Sequence, residues 1–195
     1  PETRVSKLEN MATEMALGLK SYSKPIIRTI TELGLVCVEL LNSYNYQVSF
    51  DSLIDELKCS TYNLPAIFGK TYDGHSLIVD ITTLPHLLLA GTTGSGKSVL
   101  LHSIISSLMI NNKSSKLVLI DPKTLEFSYY KNIKQLLYPI VGDVASADSI
   151  VSDLVAEMNT RFKMMSHVSA RNIAEYNKIC KKDIPYIVMI IDEFS

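Results

Sequence analysis

One continuous segment, His86-Leu-Leu-Leu-Ala-Gly-Thr-Thr-Gly-Ser-Gly-Lys-Ser98, fixes the class of fold. It contains a complete match to the phosphate-binding P-loop pattern G-x-x-x-x-G-K-[ST], made by Gly91, Thr92, Thr93, Gly94, Ser95, Gly96, Lys97 and Ser98. The apolar run before it, His86–Ala90, predicts a buried strand, and the stretch after it predicts a helix from Lys97 to about Ile110. Because a P-loop needs a strand before it and a helix after it, the segment predicts a nucleotide-binding site.

The residue types in this loop suit ATP and Mg²⁺. Glycines let the backbone curl so that successive N–H groups point at phosphate oxygens, and the positive end of the following helix adds to the attraction. Lys97 is expected to reach the β- and γ-phosphates, and the Ser98 hydroxyl is expected to ligate magnesium.

A second buried strand supplies the acidic half of such a site. The run Tyr186-Ile-Val-Met-Ile-Ile191 is followed directly by Asp192 and Glu193, as in a Walker B strand. Asp192 is expected to hold magnesium, and Glu193 is expected to polarise the attacking water as a general base. An Asp-Glu pair at this place favours a hydrolase over a small-molecule kinase, which has no use for an activated water.

The pattern around these motifs predicts an α/β fold. Lys116–Ile120 is a third buried run, and a helical stripe extends from about Ala147 to Val168, its methionines expected as core filler. Alternating strands and helices indicate a layered domain with a mostly parallel sheet. After the third run come Asp121 and Lys123, for which two interpretations stay open: a position near the nucleotide, or a solvated turn.

A smaller unit is predicted before this domain. Ser6-Lys-Leu-Glu9 has the spacing of a capping box that begins a helix, and three short strands are expected at 26–30, 35–40 and 46–50. We therefore predict a small α+β domain over residues 1–60 and a P-loop ATPase domain over residues 61–195. The first residues resemble a cut inside a longer protein rather than a natural start.

Composition excludes several classes of function. The net charge of −1, with no block of Lys or Arg, predicts no general attraction to polyanions. The uncharged stretch Ile81–Gly96 contains Pro85 and three glycines and is too short to span a bilayer as a helix, so no membrane contact is expected from this segment. Cys37, Cys59 and Cys180 lack metal-ligand spacing and are expected to be buried free thiols of a cytoplasmic protein.

The quoted motifs resemble the FtsK/SpoIIIE family of DNA translocases. Leu84-Pro-His-Leu-Leu-Leu-Ala-Gly-Thr-Thr-Gly-Ser-Gly-Lys-Ser-Val99 is similar to the family's extended nucleotide-binding motif, which adds Val99 to the candidate nucleotide-binding residues. Further similarity lies in the following segments: Ile120-Asp-Pro-Lys123 with Glu126 and Ser128, Glu157-Met158, Arg161, Met165, Arg171-Asn-Ile173, Tyr176-Asn177, Asp192-Glu-Phe194, and Val5–Ala12 of the small α domain. His102 departs from the family's usual Asn.

The resemblance implies a RecA-like ATPase core that pumps double-stranded DNA through a ring, usually a hexamer, in chromosome partition and cell division. It implies a parent protein anchored in the bacterial inner membrane. It places the remaining core strands and the arginine finger after Ser195, so the domain is expected to be truncated after its Walker B strand and to hydrolyse little ATP by itself. Two alternatives stay open: a nucleotide-binding module without translocase activity, and a related DNA-pumping ATPase such as a conjugative coupling protein.

Two arginines, Arg161 and Arg171, are left with alternative interpretations. Either residue is expected to serve a neighbouring subunit or DNA, or to be an exposed charge on a helix.

Overall fold

The computed structural model describes residues 5–21, 23–32, 34–41, 44, 46–111 and 114–193. Within it the chain divides into two compact units, with Gln47 as the last residue of the first and Val48 as the first residue of the second. The division predicted between residues 60 and 61 falls later in the chain, and that assignment of domains stays a prediction.

The first unit consists of one helix and one hairpin. Helix α1 (Val5–Gly18) is followed by strands β1 (Ile26–Ile30) and β2 (Leu35–Glu39). The two strands pair antiparallel, from Ile26 opposite Glu39 to Ile30 opposite Leu35. The predicted helix and the first two predicted strands are thus confirmed.

The predicted third strand is wrong. Residues 46–49 have no strand structure, Tyr46 is 82% exposed, and the chain enters a short 3-10 helix at Phe50–Leu53. Ser52 closes that turn, since both its N–H and its hydroxyl donate to the Ser49 carbonyl. Aromatic and β-branched residues favour a strand only where a neighbouring strand and a packing surface receive them.

The second unit begins with a helical turn and a hairpin that pack together. Helix α2 (Ile54–Cys59) precedes strands β3 (Pro65–Lys70) and β4 (Ser76–Asp80), which pair antiparallel. Leu53 and Leu57 are buried against Ile67 of β3. This small apolar cluster attaches residues 50–59 to the second unit, which is why the division falls before them.

The remaining elements form the α/β part of the second unit. They are α3 (Lys97–Ile110), β5 (Ser115–Ile120), α4 (Val144–His167), α5 (Ile173–Cys180) and β6 (Tyr186–Ile191). β5 and β6 pair parallel, with Ser115 opposite Tyr186 and Ile120 opposite Ile191. The predicted α/β class is confirmed, and the Lys116–Ile120 and Tyr186–Ile191 runs are the strands they were expected to be.

β5 lies at the centre of the core. On its other side it exchanges backbone hydrogen bonds with residues 135–141, which include those from Leu137 N–H to the Leu117 carbonyl at 2.9 Å and from Asp121 N–H to the Val141 carbonyl at 2.8 Å. Its residues Leu117–Ile120 are buried, and Leu117 and Leu119 pack in one cluster with Leu101, Ile104, Ile105 and Leu108 of α3. A strand bonded on both edges and covered on its faces requires a continuous apolar run.

Serine side chains fix α3 to β3. The Ser107 hydroxyl accepts from Ile67 N–H at 3.0 Å, and the Ser103 hydroxyl donates to the Ile67 carbonyl at 2.8 Å. Because Ile67 lies where the pairing of β3 with β4 shifts register, its backbone groups are free to bond the helix.

The prediction of a buried strand at His86–Ala90 is wrong. This run is not part of a strand, and Leu88 is 89% exposed. In the described part of the chain no strand pairs with it: a cleft of about 620 Å³ separates residues 84–89 from β6. An apolar run becomes a buried strand only where neighbours satisfy its backbone N–H and C=O groups.

The apolar stripe of α4 is only partly buried. Met165 is 9% exposed, whereas Met158 is 46% and Phe162 56% exposed. The expectation that the methionines of this stripe fill the core is therefore confirmed for Met165 and wrong for Met158.

The cysteines differ from their prediction in burial, and the helices agree with theirs in hydropathy. All three cysteines are free thiols, but Cys59 is exposed and Cys37 and Cys180 are half-buried, so their predicted burial is wrong. Cys59 ends the short helix α2, whose inner face is already formed by Leu57. Across these residues, each helix is too short or too polar to cross a bilayer.

Candidate nucleotide-binding site

The P-loop forms a compact turn at the start of α3. Gly94 and Gly96 have φ angles of 80° and 94°, which glycine adopts without the steric penalty of a side chain. Gly96 is the N-cap of α3, and no side chain caps the first N–H groups of that helix. The residues Gly91–Gly96 are exposed, so the backbone donors of the loop are open to an anion.

Gly91 permits a close approach inside the loop. A β-carbon at this position would lie 2.2 Å from Ser95 Oγ, which is too close for any pair of unbonded atoms. The loop as folded therefore requires glycine here or a rotated Ser95. At the other end Val99 is 72% exposed, so its contribution to a bound phosphate is limited to its backbone.

The two predicted halves of the site meet. Lys97 Nζ donates to Asp192 Oδ1 at 2.7 Å, and this ion pair joins residues that are 95 positions apart in the chain. The Asp192 side chain is 7% exposed, and that of Lys97 is 28% exposed. The hydrogen bond to Asp192 raises the pKa of Lys97, and the charges of Asp192, Glu193 and Glu126 act in the same direction.

Glu193 lies at the mouth of the cleft and forms an ion pair with Lys123. Its φ angle of 51° turns the chain sharply after Asp192. Residues other than glycine are uncommon in this left-handed region, and they mark a tight change of chain direction. Lys123 is exposed and lies in a turn, as the solvated-turn interpretation expects, and its ammonium group reaches Glu193. Its position near a nucleotide stays a prediction.

Asp121 has a different place. It is 1% exposed, and its carboxylate accepts from Lys123 N–H and from Phe127 N–H, both at 3.1 Å. The solvated turn is wrong for this residue, because Asp121 is buried and folds the loop after β5 around its own side chain. This loop in turn presents Lys123 to Glu193 and places Glu126 beside α3.

Three residues beside the P-loop received no functional role from the sequence: Glu126, His102 and Tyr130. Ser98 Oγ donates to Glu126 Oε1 at 3.0 Å, and His102 Nε2 lies 3.3 Å from Glu126 Oε2. His102 Nδ1 is 2.8 Å from the Tyr130 hydroxyl, and burial raises the pKa of that hydroxyl. The sequence offered one indication of these contacts: Ser98 and His102 are four residues apart and therefore lie on the same face of the helix.

The two arginines differ. Arg161 Nη1 donates to the Pro185 carbonyl at 2.6 Å and its Nε pairs with Glu157 at 2.7 Å, while the side chain is 14% exposed. Arg161 therefore attaches α4 to the chain before β6, and the expectation of an exposed charge is wrong for it. Arg171 is exposed but lies in the bend before α5, so its predicted place on a helix is wrong. A role toward a neighbouring subunit or DNA stays a prediction.

The donor set fits magnesium. The Ser98 hydroxyl and the Asp192 carboxylate are hard oxygen donors, which Mg²⁺ prefers, and in nucleotide sites it takes one or two protein ligands together with phosphate oxygens and water. The described residues contain no cluster of three His, Cys, Asp or Glu side chains that could hold a metal ion.

Comparison with known proteins agrees with these features. The FtsK/SpoIIIE family model matches residues 56–194. A DNA translocase FtsK of Staphylococcus aureus is 36% identical over 98% of this chain and 26% of its own length, and one of Campylobacter jejuni is 35% identical over the whole chain and 21% of its own length. The chain thus spans about a quarter of the length of these curated relatives.

A solved structure shows the same fold. The pCW3 conjugation coupling protein TcpA, in its monomer form with ATPγS, superposes with a TM-score of 0.67 at 24% identity, over 97% of this chain and 52% of that one. The architecture of the chain is therefore that of a RecA-like P-loop core. From the match of the family model and from the curated relatives, the chain belongs to the FtsK/SpoIIIE family.

Proposed function

We propose that this chain binds Mg²⁺–ATP and is part of the ATP-hydrolysing motor of a double-stranded-DNA translocase. The observation that carries the proposal is the 2.7 Å contact of Lys97 with Asp192, which brings the P-loop and the acidic end of β6 together. The two side chains, one cationic and one anionic, line the same cleft.

In this proposal the phosphates are bound by backbone N–H groups of the P-loop and by Lys97. The N–H groups from Gly91 to Val99, at the positive end of α3, cradle the phosphates, and Lys97 leaves Asp192 to contact the β- and γ-phosphate oxygens. Ser98 and Asp192 would hold Mg²⁺, which neutralises charge on the phosphate oxygens when bound. Asp192 thereby keeps a cationic partner after Lys97 has moved.

Hydrolysis needs an activated water. The oxygen of this water attacks the γ-phosphorus, and Glu193 accepts the proton that the water loses. The bond from that phosphorus to the β–γ bridging oxygen breaks, and ADP leaves. Lys123 pairs with Glu193 in the absence of nucleotide. The pair holds the carboxylate near the cleft.

The relatives suggest what this turnover drives. Those from Staphylococcus aureus and Campylobacter jejuni are named as DNA translocases, and we infer that the complete protein acts on double-stranded DNA as a ring, with a hexamer expected, in the cytoplasm during chromosome partition and cell division. The net charge of −1 means that DNA contacts depend on local geometry rather than on general attraction.

Calorimetric titration with Mg²⁺–ATP tests the binding step. Lys97→Ala removes the charge that faces two phosphates, and we expect at least about a 100-fold loss of affinity in a folded protein, since each of the two contacts contributes about 1.5–3 kcal/mol, together about 3–6 kcal/mol. Lys163→Ala, an exposed lysine of α4, is the matched control. Equal affinities for the two variants would remove Lys97 from the site.

Phosphate release by the complete protein, with and without long duplex DNA, tests the motor, because this chain by itself is expected to hydrolyse little ATP. It is measured at rising protein concentration, with light scattering to report the assembly. DNA-stimulated release from a ring supports the translocase. Nucleotide binding without such release would favour the module that only binds nucleotide.

A further inference from the structure

The hydroxyl of Ser98 already has an acceptor on the side of α3 that faces the loop after β5. It donates to Glu126 Oε1 at 3.0 Å, and the contact spans 28 positions of sequence. The other carboxylate of the P-loop site, Asp192, accepts from Lys97 instead. Glu126 is 36% exposed at its side chain, so it lies at the edge of the site and not in its depth.

A serine that ligates a cation has one hydrogen to place. Its oxygen offers lone pairs to the metal, and the O–H bond has to point away from the positive charge and toward an acceptor. In this structure that acceptor is a carboxylate, which is stronger than a neutral oxygen. The Glu126 contact therefore turns the lone pairs of Ser98 toward the open side of the P-loop before any nucleotide arrives.

Glu126 is itself held in place. Its second oxygen lies 3.3 Å from His102 Nε2, and His102 Nδ1 lies 2.8 Å from the hydroxyl of Tyr130, which is 9% exposed. The next residue, Phe127, is fully buried, and its N–H is bonded to Asp121. The carboxylate is thus supported both by its own backbone and by a chain of side chains that ends in the core.

We propose that Glu126 is a positioning residue for magnesium: it orients the Ser98 hydroxyl toward Mg²⁺–nucleotide, with His102 and Tyr130 holding it in register. The inference rests on the proposed function, because it concerns the same site. Partners that orient metal ligands in this way typically account for about 10–100-fold in metal affinity.

The test compares ATP affinity in the presence of Mg²⁺ and in the presence of EDTA, by calorimetry, for the parent and for Glu126→Ala. We expect the gain in affinity that Mg²⁺ gives the parent to shrink about 10–100-fold in Glu126→Ala. The affinity in EDTA is expected to stay within about 2-fold, because the P-loop backbone and Lys97 are unchanged. Glu126→Gln, which keeps an acceptor oxygen without the charge, should fall between the parent and Glu126→Ala.

The matched control is Glu56→Ala, which removes an exposed carboxylate of α2. It should keep the full gain from Mg²⁺. An unchanged gain in Glu126→Ala would overturn the inference, and so would an equal loss with Mg²⁺ and with EDTA, which indicates a merely structural role. If Mg²⁺ gives the parent itself no gain, the proposed magnesium site fails as a whole, and this outcome is distinct from the other two.

Discussion

The ion pair between Lys97 and Asp192 predicts a measurable coupling in the nucleotide-free protein. Surface ion pairs contribute about 0–1 kcal/mol, and breaking a fully buried pair costs about 3–5 kcal/mol. Here one partner is 7% and the other 28% exposed, at 2.7 Å, so the pair lies between these limits. We expect a coupling energy of about 2 kcal/mol in the free energy of unfolding.

A double-mutant cycle measures this coupling. Lys97→Met removes the charge and keeps the stem, Asp192→Asn removes the charge and keeps the shape, and the double variant completes the cycle. The chain has no Trp, so far-UV circular dichroism in urea is the appropriate signal. A coupling energy within about 0.3 kcal/mol of zero would refute the view that these two side chains depend on each other in the free protein.

Three further outcomes are expected. In the complete protein, Glu193→Gln should keep the calorimetric affinity for Mg²⁺–ATP and lower phosphate release by about 10²–10⁴-fold, since an amide cannot take a proton from water; turnover near that of the parent would assign the base elsewhere. Burial raises the pKa of Asp80, but hydrogen bonds from Thr82, Asn63 and Leu64 outweigh it and lower that pKa below 3.8. The stability that distinguishes the parent from Asp80→Asn should therefore be fully present above about pH 3.8 and be lost as the pH falls through the lowered pKa, and a difference that is the same at pH 7 and pH 2 in urea unfolding would contradict this. A chain that begins at residue 48 should unfold in one cooperative transition, whereas one that begins at residue 61 loses the cluster around Leu57 and should unfold at lower urea; equal midpoints would show that residues 50–59 do not belong to the second unit.

The sequence was most informative where backbone chemistry leaves few choices. A P-loop needs glycine at turns with positive φ, and the Walker B strand needs a long apolar run followed by carboxylates. Tyr186–Ile191, Lys116–Ile120 and the helix from Lys97 were predicted correctly for this reason. The meeting of Lys97 with Asp192 followed from identifying the P-loop and the acidic end of the Walker B strand as two halves of one nucleotide site.

The errors arose where a pattern depends on neighbours. The same apolar character that makes β5 a strand also marks His86–Ala90, but β5 has partners on both edges and the earlier run has none among the described residues. The hydrophobic pattern of one segment does not show whether a second segment lies beside it as a pairing partner. Glu126 and His102 were missed for a related reason, since their roles exist only after the loop folded by Asp121 brings them to α3.

The serine contacts between α3 and β3 have a mechanical consequence for the P-loop. On its helix side the loop continues into α3, which Ser103 and Ser107 fix to Ile67 of the hairpin. On its other side it continues into residues 86–90, of which Leu89 packs on the core and Leu88 lies in solvent. A force on a phosphate bound to the loop is therefore transmitted through α3 to the β3–β4 hairpin. The chain that enters the loop, at residues 86–90, is the part that changes position.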